Sequence, residues 1–377
     1  MTSVVVAPHK VVSFPEGGGH FWVYMQYVLG LRQLGLDVYW LEQLLPGEKA
    51  LRDPATVRVF ADRMTRFGLE DRFILYSSDD QEVEFRHGAV ESAEDILGNA
   101  DLLLNFHYAA QPPILNRFRR AALVDIDPGL LQFWMSRGQL TVQPHDLYFT
   151  IGETVGKERD CFPDVDVHWL PTRPVVSLDD WPVHYVGNPA PFTSISTWAT
   201  DSWVVDGDIS YENSKRISYR RFAELPSHTS QDMELALYMI GKDDAEREWM
   251  ERLGWRIRLS TEVAADPDGY RSYIQSSRGE YSVAKPAYVS FQTAWVSDRS
   301  VCYLASGKPV VVQDTGPSEY LPENEGMFRF ETVEQAARAI ETINDDYPGQ
   351  CRTARQIAED FFDSRVVLTD LLERALA

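Results

Sequence analysis

Residues Trp295–Leu321 read WVSDRSVCYLASGKPVVVQDTGPSEYL, and this stretch decides the fold. Ser297 and Asp298 stand where a helix N-cap belongs, and the spacing predicts a helix through Arg299–Ala305. Gly307 ends it, Pro309 follows, and Val310–Gln313 is a β-branched run of buried-strand type. Asp314-Thr315-Gly316 then leaves the strand at its carboxyl end. A helix N-terminus carries free N–H groups and positive partial charge, so it suits a phosphate. Arg299 in the first turn offers a bidentate phosphate contact, with Ser300 beside it. Thr315 and Gly316 are small enough to let a ligand near the backbone. The plainer alternative also stands: Ser297 and Asp298 only cap the helix, and Gly316 only makes a turn.

Working outward, the amino-terminal end repeats this grammar. Val4–Ala7 predicts a buried strand, Ser13–His20 a loop containing Gly17-Gly18-Gly19, Phe21–Leu34 a helix closed by Gly35, and Leu36–Leu41 a second strand. One strand–loop–helix–strand unit of this kind implies a parallel α/β sheet. Strand and helix patterns go on alternating to residue 376, with Gln231–Ile240 readable as strand or short helix and Thr353–Leu376 as one long helix. Six prolines between Pro163 and Pro191 mark an irregular join. The expectation is an N-terminal domain over 1–175, a second over 185–352, and a last helix, 353–377, crossing back to the first. In open α/β sheets ligands bind beyond the carboxyl ends of the strands, so the cleft between the domains is the expected site.

Composition narrows the function. The chain has 377 residues, two domains' worth, and 57 acidic against 36 basic side chains give a net charge of −21. That sum argues against nucleic acid and anionic membranes as partners. No apolar run reaches the roughly 18–20 residues of a membrane span, and the start does not read as a signal peptide. Three widely spaced cysteines fit a reducing, cytoplasmic setting and offer no zinc spacing. No Asp-x-Asp triplet stands clearly at a strand end, Asp125-x-Asp127 being nearest, so no obligatory metal and no cofactor are expected.

The helix followed by small residue-Gly-x-Pro-Val-Val, then a turn and Glu-x-Leu, resembles the nucleotide-sugar half of the GT-B glycosyltransferases. Gly18-Gly19-His20, a helix and Leu34-Gly35-Leu36-Asp37-Val38 resemble the opening of the same enzymes, and residues 328–343 their usual ending. The resemblance implies two Rossmann-like domains facing each other across a cleft. It implies transfer of a sugar from a nucleoside-diphosphate donor to a hydroxyl of a small-molecule or glycan acceptor. Departures are plain. The E-x7-E signature would need acids at Ala294 and Cys302, and a His-Cys-Gly triplet would replace Ala294-Trp295-Val296. Arg299, preceded by Ser277-Arg278-Gly279-Glu280 and Lys285, looks instead like uncharacterised bacterial glycosyltransferase-like proteins. On that resemblance Glu280 would accept hydrogen bonds from ribose hydroxyls, and Lys285 or Arg278 would neutralise the diphosphate. Surface salt bridges are the simpler use of such residues.

His20 is the candidate base, because imidazole titrates near neutrality and an acid partner would hold its tautomer. Asp101, Asp125 and Asp127 end or flank the facing strands, and Asp127 is carried forward beside His20. Gly18 and Gly19 would let a substrate approach, and His107, in Asn105–Tyr108, belongs to an aromatic stretch suited to an acceptor or to core packing. A sugar-nucleotide epimerase, or a non-catalytic nucleotide-sugar-binding protein, would fit the same architecture.

Overall fold

The structure is a computed structural model that describes residues 1–78, 82–157, 161, 163, 165–187, 189–199 and 203–377. Within the proline-rich stretch, residues 164 and 188 lie outside the described residues.

The first domain is a sheet of eight strands. They are β1 (Ser3–Ala7), β2 (Asp37–Gln43), β3 (Phe73–Ser78), β4 (Val83–Gly88), β5 (Leu102–Asn105), β6 (Ala121–Asp125), β7 (Leu147–Thr150) and β8 (Trp169–Pro171). Their spatial order is β4-β3-β2-β1-β5-β6-β7-β8, parallel except for the β3–β4 edge. Val4, Val5 and Val6 are wholly buried because both faces of β1 are covered, as a continuous apolar run requires. The second domain begins at β9 (Phe192–Thr197). A hairpin of β10 (Trp203–Asp206) and β11 (Ile209–Glu212) projects from it, and β12 (Met233–Tyr238), β13 (Arg256–Leu259), β14 (Gly279–Ser282), β15 (Val310–Gln313) and β16 (Met327–Phe330) follow. They form a parallel sheet in the order β13-β12-β9-β14-β15-β16. The segment 231–240 is therefore a strand: its Met-Glu-Leu-Ala-Leu run is buried between β9 and β13.

Helix α1 (Gly18–Gln33) holds the domains together. Trp22 donates from Nε1 to the Pro267 carbonyl at 2.8 Å, and its ring meets Trp181 edge-on at 5.1 Å. Gly18 and Gly19 begin this helix, and their smallness serves the domain interface. A Cβ on Gly18 would stand 2.4 Å from the Asp266 carbonyl oxygen, and one on Gly19 would stand 2.5 Å from the Tyr270 ring. Replacing Gly18 with Ala is therefore expected to cost about 1–3 kcal/mol, the usual penalty for overpacking, read as a lower thermal midpoint.

The carboxyl end departs from one long helix. A helix over Tyr347–Ile357 loosens into a π turn at Ala358–Phe362, and α2 (Ser364–Leu376) starts afresh with Asp363 accepting from the Arg365 N–H. At this break Val176 donates to the Phe362 carbonyl and accepts from the Ser364 N–H. α2 then lies on α1, where Gly30 meets Ser364 and Leu368. Among the described residues no helix is long and apolar enough to cross a membrane.

Candidate active site in the interdomain cleft

The carboxyl ends of both sheets face one cleft. A cavity of about 420 Å³ lies there, walled from the first domain by the Phe14–Tyr24 segment and Asp127. From the second domain come Ser196 and Thr197 at the end of β9, Lys215, Lys285, Tyr288, Trp295 and the Ser297–Arg299 helix start. Phe14 closes one side against Tyr238, ring centres 5.7 Å apart.

On the second domain α3 (Asp298–Ala305) opens into the cavity. Ser297 caps it, its Oγ accepting from the Arg299 N–H at 3.3 Å. Lys285 lies just past β14 and Lys215 just past β11. Among the described residues neither lysine has an ion-pair partner, the second domain's buried pair being Arg299–Glu280. Lys215 Nζ is instead 6.0 Å from the Trp295 ring centre and Lys285 Nζ 5.7 Å from that of Tyr288. Those two rings stack at 4.3 Å and 18°. Burial, with Arg299 and Lys285 nearby, pushes the Lys215 ammonium well below its ordinary pKa. Asp298 shares the wall, and burial raises its carboxyl against the pull of Arg299 and Lys215.

Arg299 and Glu280 do not play the expected parts. Arg299 is 6% exposed and Glu280 0%. Arg299 Nε donates to Glu280 Oε1 at 2.6 Å, Nη1 to the Ile195 carbonyl at 2.7 Å, and Nη2 to Ser282 Oγ. Burial opposes the guanidinium's charge, but Glu280 outweighs it and holds the pKa above the ordinary value. Glu280 is sealed behind Arg299 and does not line the cavity, so it has no route to a ribose. The guanidinium keeps an edge on the cavity, but its main bonds join β9, β14 and α3.

Three other residues fall outside the cavity. Ser300 is buried against a void of about 10 Å³, room for no more than about one water. Thr315 donates to the Trp295 carbonyl at 2.8 Å, and its own carbonyl accepts from Ala294. Gly316 has φ +119°, and a Cβ there would stand 2.5 Å from the Gln292 carbonyl oxygen, so the close approach is by the protein's own backbone. Together these two brace the loop that presents Trp295. Arg278 is also turned away, its Nε donating to Asn344.

On the first domain His20 Nε2 lies 2.8 Å from the His9 carbonyl. A carbonyl only accepts, so Nε2 carries the proton and Nδ1 is bare. Burial lowers the imidazole's pKa, against the His9 bond and the charge of Asp127, and keeps the ring neutral. The expected acid orienter is thus replaced by a backbone carbonyl. Asp127 serves a different partner: across the cleft the Tyr288 hydroxyl donates to its Oδ1. The strand-end acid Asp125 is fully buried and pushed up to about 7 by burial, with Gln132 and Thr150 donating to it. His107 lines a neighbouring cavity of about 400 Å³.

Lys215, Tyr288 and Trp295 carry the second wall. The two aromatics gave no spacing signal in the sequence.

No protein-family model and no curated protein matches the sequence. Solved structures do. An alpha-glucosyltransferase in complex with UDP and a 13-mer DNA containing a HMU base superposes with TM-score 0.59 at 10% identity, covering 100% of this chain and 99% of that one. A glycosyltransferase from Rickettsia africae ESF-5 gives 0.56 at 12%, covering 99% and 97%. Sucrose-phosphate synthase from Thermosynechococcus elongatus gives 0.52 at 10%, covering 99% of each. The chain has the GT-B fold. In GT-B terms the cavity lies between the two Rossmann-like domains.

The same comparisons correct one expectation. Net charge argued against nucleic acid, yet several of these GT-B structures are complexes with DNA. A charge of −21 is a sum over the whole surface, and it says nothing of a local wall such as Lys215 and Lys285.

Proposed function

We propose that the protein is a glycosyltransferase that moves a sugar from a nucleoside-diphosphate donor to an acceptor hydroxyl. The observation that carries this reading is the pair of lysines without an ion-pair partner among the described residues, Lys215 and Lys285, beside the N-terminus of α3, facing a wall that holds His20 and Asp127. Two lysines and first-turn N–H groups suit a diphosphate. The stacked Tyr288 and Trp295 offer flat faces to a sugar ring, and Asp298 is left to accept from a sugar hydroxyl.

In the transfer the acceptor oxygen bonds to the anomeric carbon as the bond from that carbon to the phosphate oxygen breaks. The electron pair leaves with the diphosphate, toward the lysines. The acceptor's proton goes to the first domain, where His20 Nδ1 and Asp127 Oδ2 are basic atoms without a partner among the described residues. On this reading residues 1–175 serve the acceptor and residues 185–352 the donor. Nucleic acid belongs in the acceptor screen.

UDP is the first probe, since it occupies glycosyltransferases of this fold. Calorimetry is expected to give saturable one-to-one binding that EDTA leaves unchanged, because the lysines carry the compensating charge. Absence of binding by UDP and by the other nucleoside diphosphates would sink the reading.

A further inference from the structure

The second cavity, of about 400 Å³, lies wholly in the first domain and adjoins the donor cavity. The two share His9, Tyr24, Ile126 and Asp127 as a common wall. Asp127 therefore faces both spaces, whereas His20 faces only the first. From the carboxyl end of β6, Asp127 offers Oδ1 to Tyr288, while Oδ2 has no partner among the described residues.

Apart from Gln139, the remaining lining is aromatic or apolar. Phe106, Tyr108, Trp134 and Leu140 surround the space. His9 and His107 stack at 4.5 Å and 21°, adding one more planar face. Burial pushes His9 down to about 3 and His107 to about 4, so both rings are neutral at pH 7. Asp127 is then the one charged side chain on the lining. A carboxylate in an aromatic pocket repels anions and accepts from a hydroxyl. The rim is tied down: Gln139 donates to the Val205 carbonyl of the β10–β11 hairpin at 2.6 Å, and Arg137 pairs with Asp206 at 2.7 Å. The same hairpin leads directly into Lys215 of the donor wall.

We propose that this cavity is the acceptor site, and that it takes an uncharged, planar ring compound whose hydroxyl is anchored on Asp127 at the opening to the donor. The assignment rests on the glycosyltransferase reading for the word acceptor, but the pocket's ligand chemistry is testable without it.

The test is equilibrium binding, by calorimetry or tryptophan fluorescence at pH 7, on the full chain saturated with UDP and on the chain alone. The probes are 2-naphthol, 2-methoxynaphthalene, which lacks the donor, and 2-naphthoate, which is anionic. Expected are saturable 2-naphthol binding, at least tenfold weaker binding of the other two, and a tenfold loss of 2-naphthol affinity in Trp134→Ala. In Asp127→Asn the discrimination against 2-naphthoate is expected to fall at least fivefold, which a merely structural Asp127 would not produce. Circular dichroism confirms that both variants are folded. If UDP binds and 2-naphthol does not, or if 2-naphthoate binds as well as 2-naphthol, the inference is overturned and the donor reading stands. If 2-naphthol binds through Trp134 while UDP does not bind, the donor reading fails and the pocket's ligand class holds.

Discussion

Replacing Arg299 with Ala is expected to destabilise the fold by about 3–5 kcal/mol, the usual cost of removing one partner of a buried ion pair. Glu280 is wholly buried, and its Oε2 already lacks a hydrogen-bond partner among the described residues. Without the guanidinium its carboxylate would be left charged and unsolvated, and the Ile195 carbonyl and Ser282 hydroxyl would lose their donor too. The comparison that isolates the pair is a double variant, Arg299→Met with Glu280→Met. It removes both charges while keeping volume, and is expected to recover most of the loss. Urea unfolding of the three proteins reads the effect. A single variant within 1 kcal/mol of the parent, bound only weakly by UDP, would return Arg299 to the ligand-binding role that its position in the first helical turn suggests.

The lysines should show the opposite pattern, with binding lost and folding kept. Lys215→Ala and Lys285→Ala are each expected to weaken UDP binding by roughly 10- to 100-fold, since a charge-assisted hydrogen bond contributes about 1.5–3 kcal/mol. Lys215 adds a pH signature. Burial and its cationic neighbours lower its pKa from the ordinary 10.5. Between the lowered value and 10.5 the unfolded chain holds a proton that the folded chain does not, so this residue's contribution makes stability rise with pH there. A bound diphosphate brings negative charge and raises the pKa again. UDP binding in that window is therefore expected to take up protons and to weaken as pH rises. Calorimetry in buffers of different ionisation enthalpy measures the uptake. Uptake that persists in Lys215→Ala would assign it to another group.

The architecture was readable where the signals are local. Ser297 caps α3 because its hydroxyl reaches an N–H two residues on, and Gly307, with φ +71°, closes the helix as a left-handed position does. The β-branched runs Val4–Val6 and Val310–Val312 declared buried parallel strands for the same reason. The break at 358–363 was not readable. No proline or glycine stands there, and it forms because Val176, in an isolated bridge nearly two hundred residues away, takes the backbone groups of Phe362 and Ser364.

The site was only half readable, and the division follows the reach of the forces. His20, Asp127, Ser297, Asp298 and Lys285 meet at the cavity because each stands at a strand's carboxyl end or a helix start, positions that the chain's periodicity reveals. Their partners are another matter. That a carbonyl rather than a carboxylate holds His20, or that Tyr288 spans the cleft to Asp127, depends on how two sheets are set across α1. The roles of Arg299 and Glu280 turned on the same point, since burial decides whether an ion pair meets a ligand or seals a core. The amino-acid sequence by itself determined the two parallel α/β units and the cleft between them, because hydrophobic period, caps and turn residues act over a few residues. Only the tertiary structure decided which charges are free to bind and which are spent on the protein itself, because desolvation and pairing depend on neighbours that lie far away along the chain.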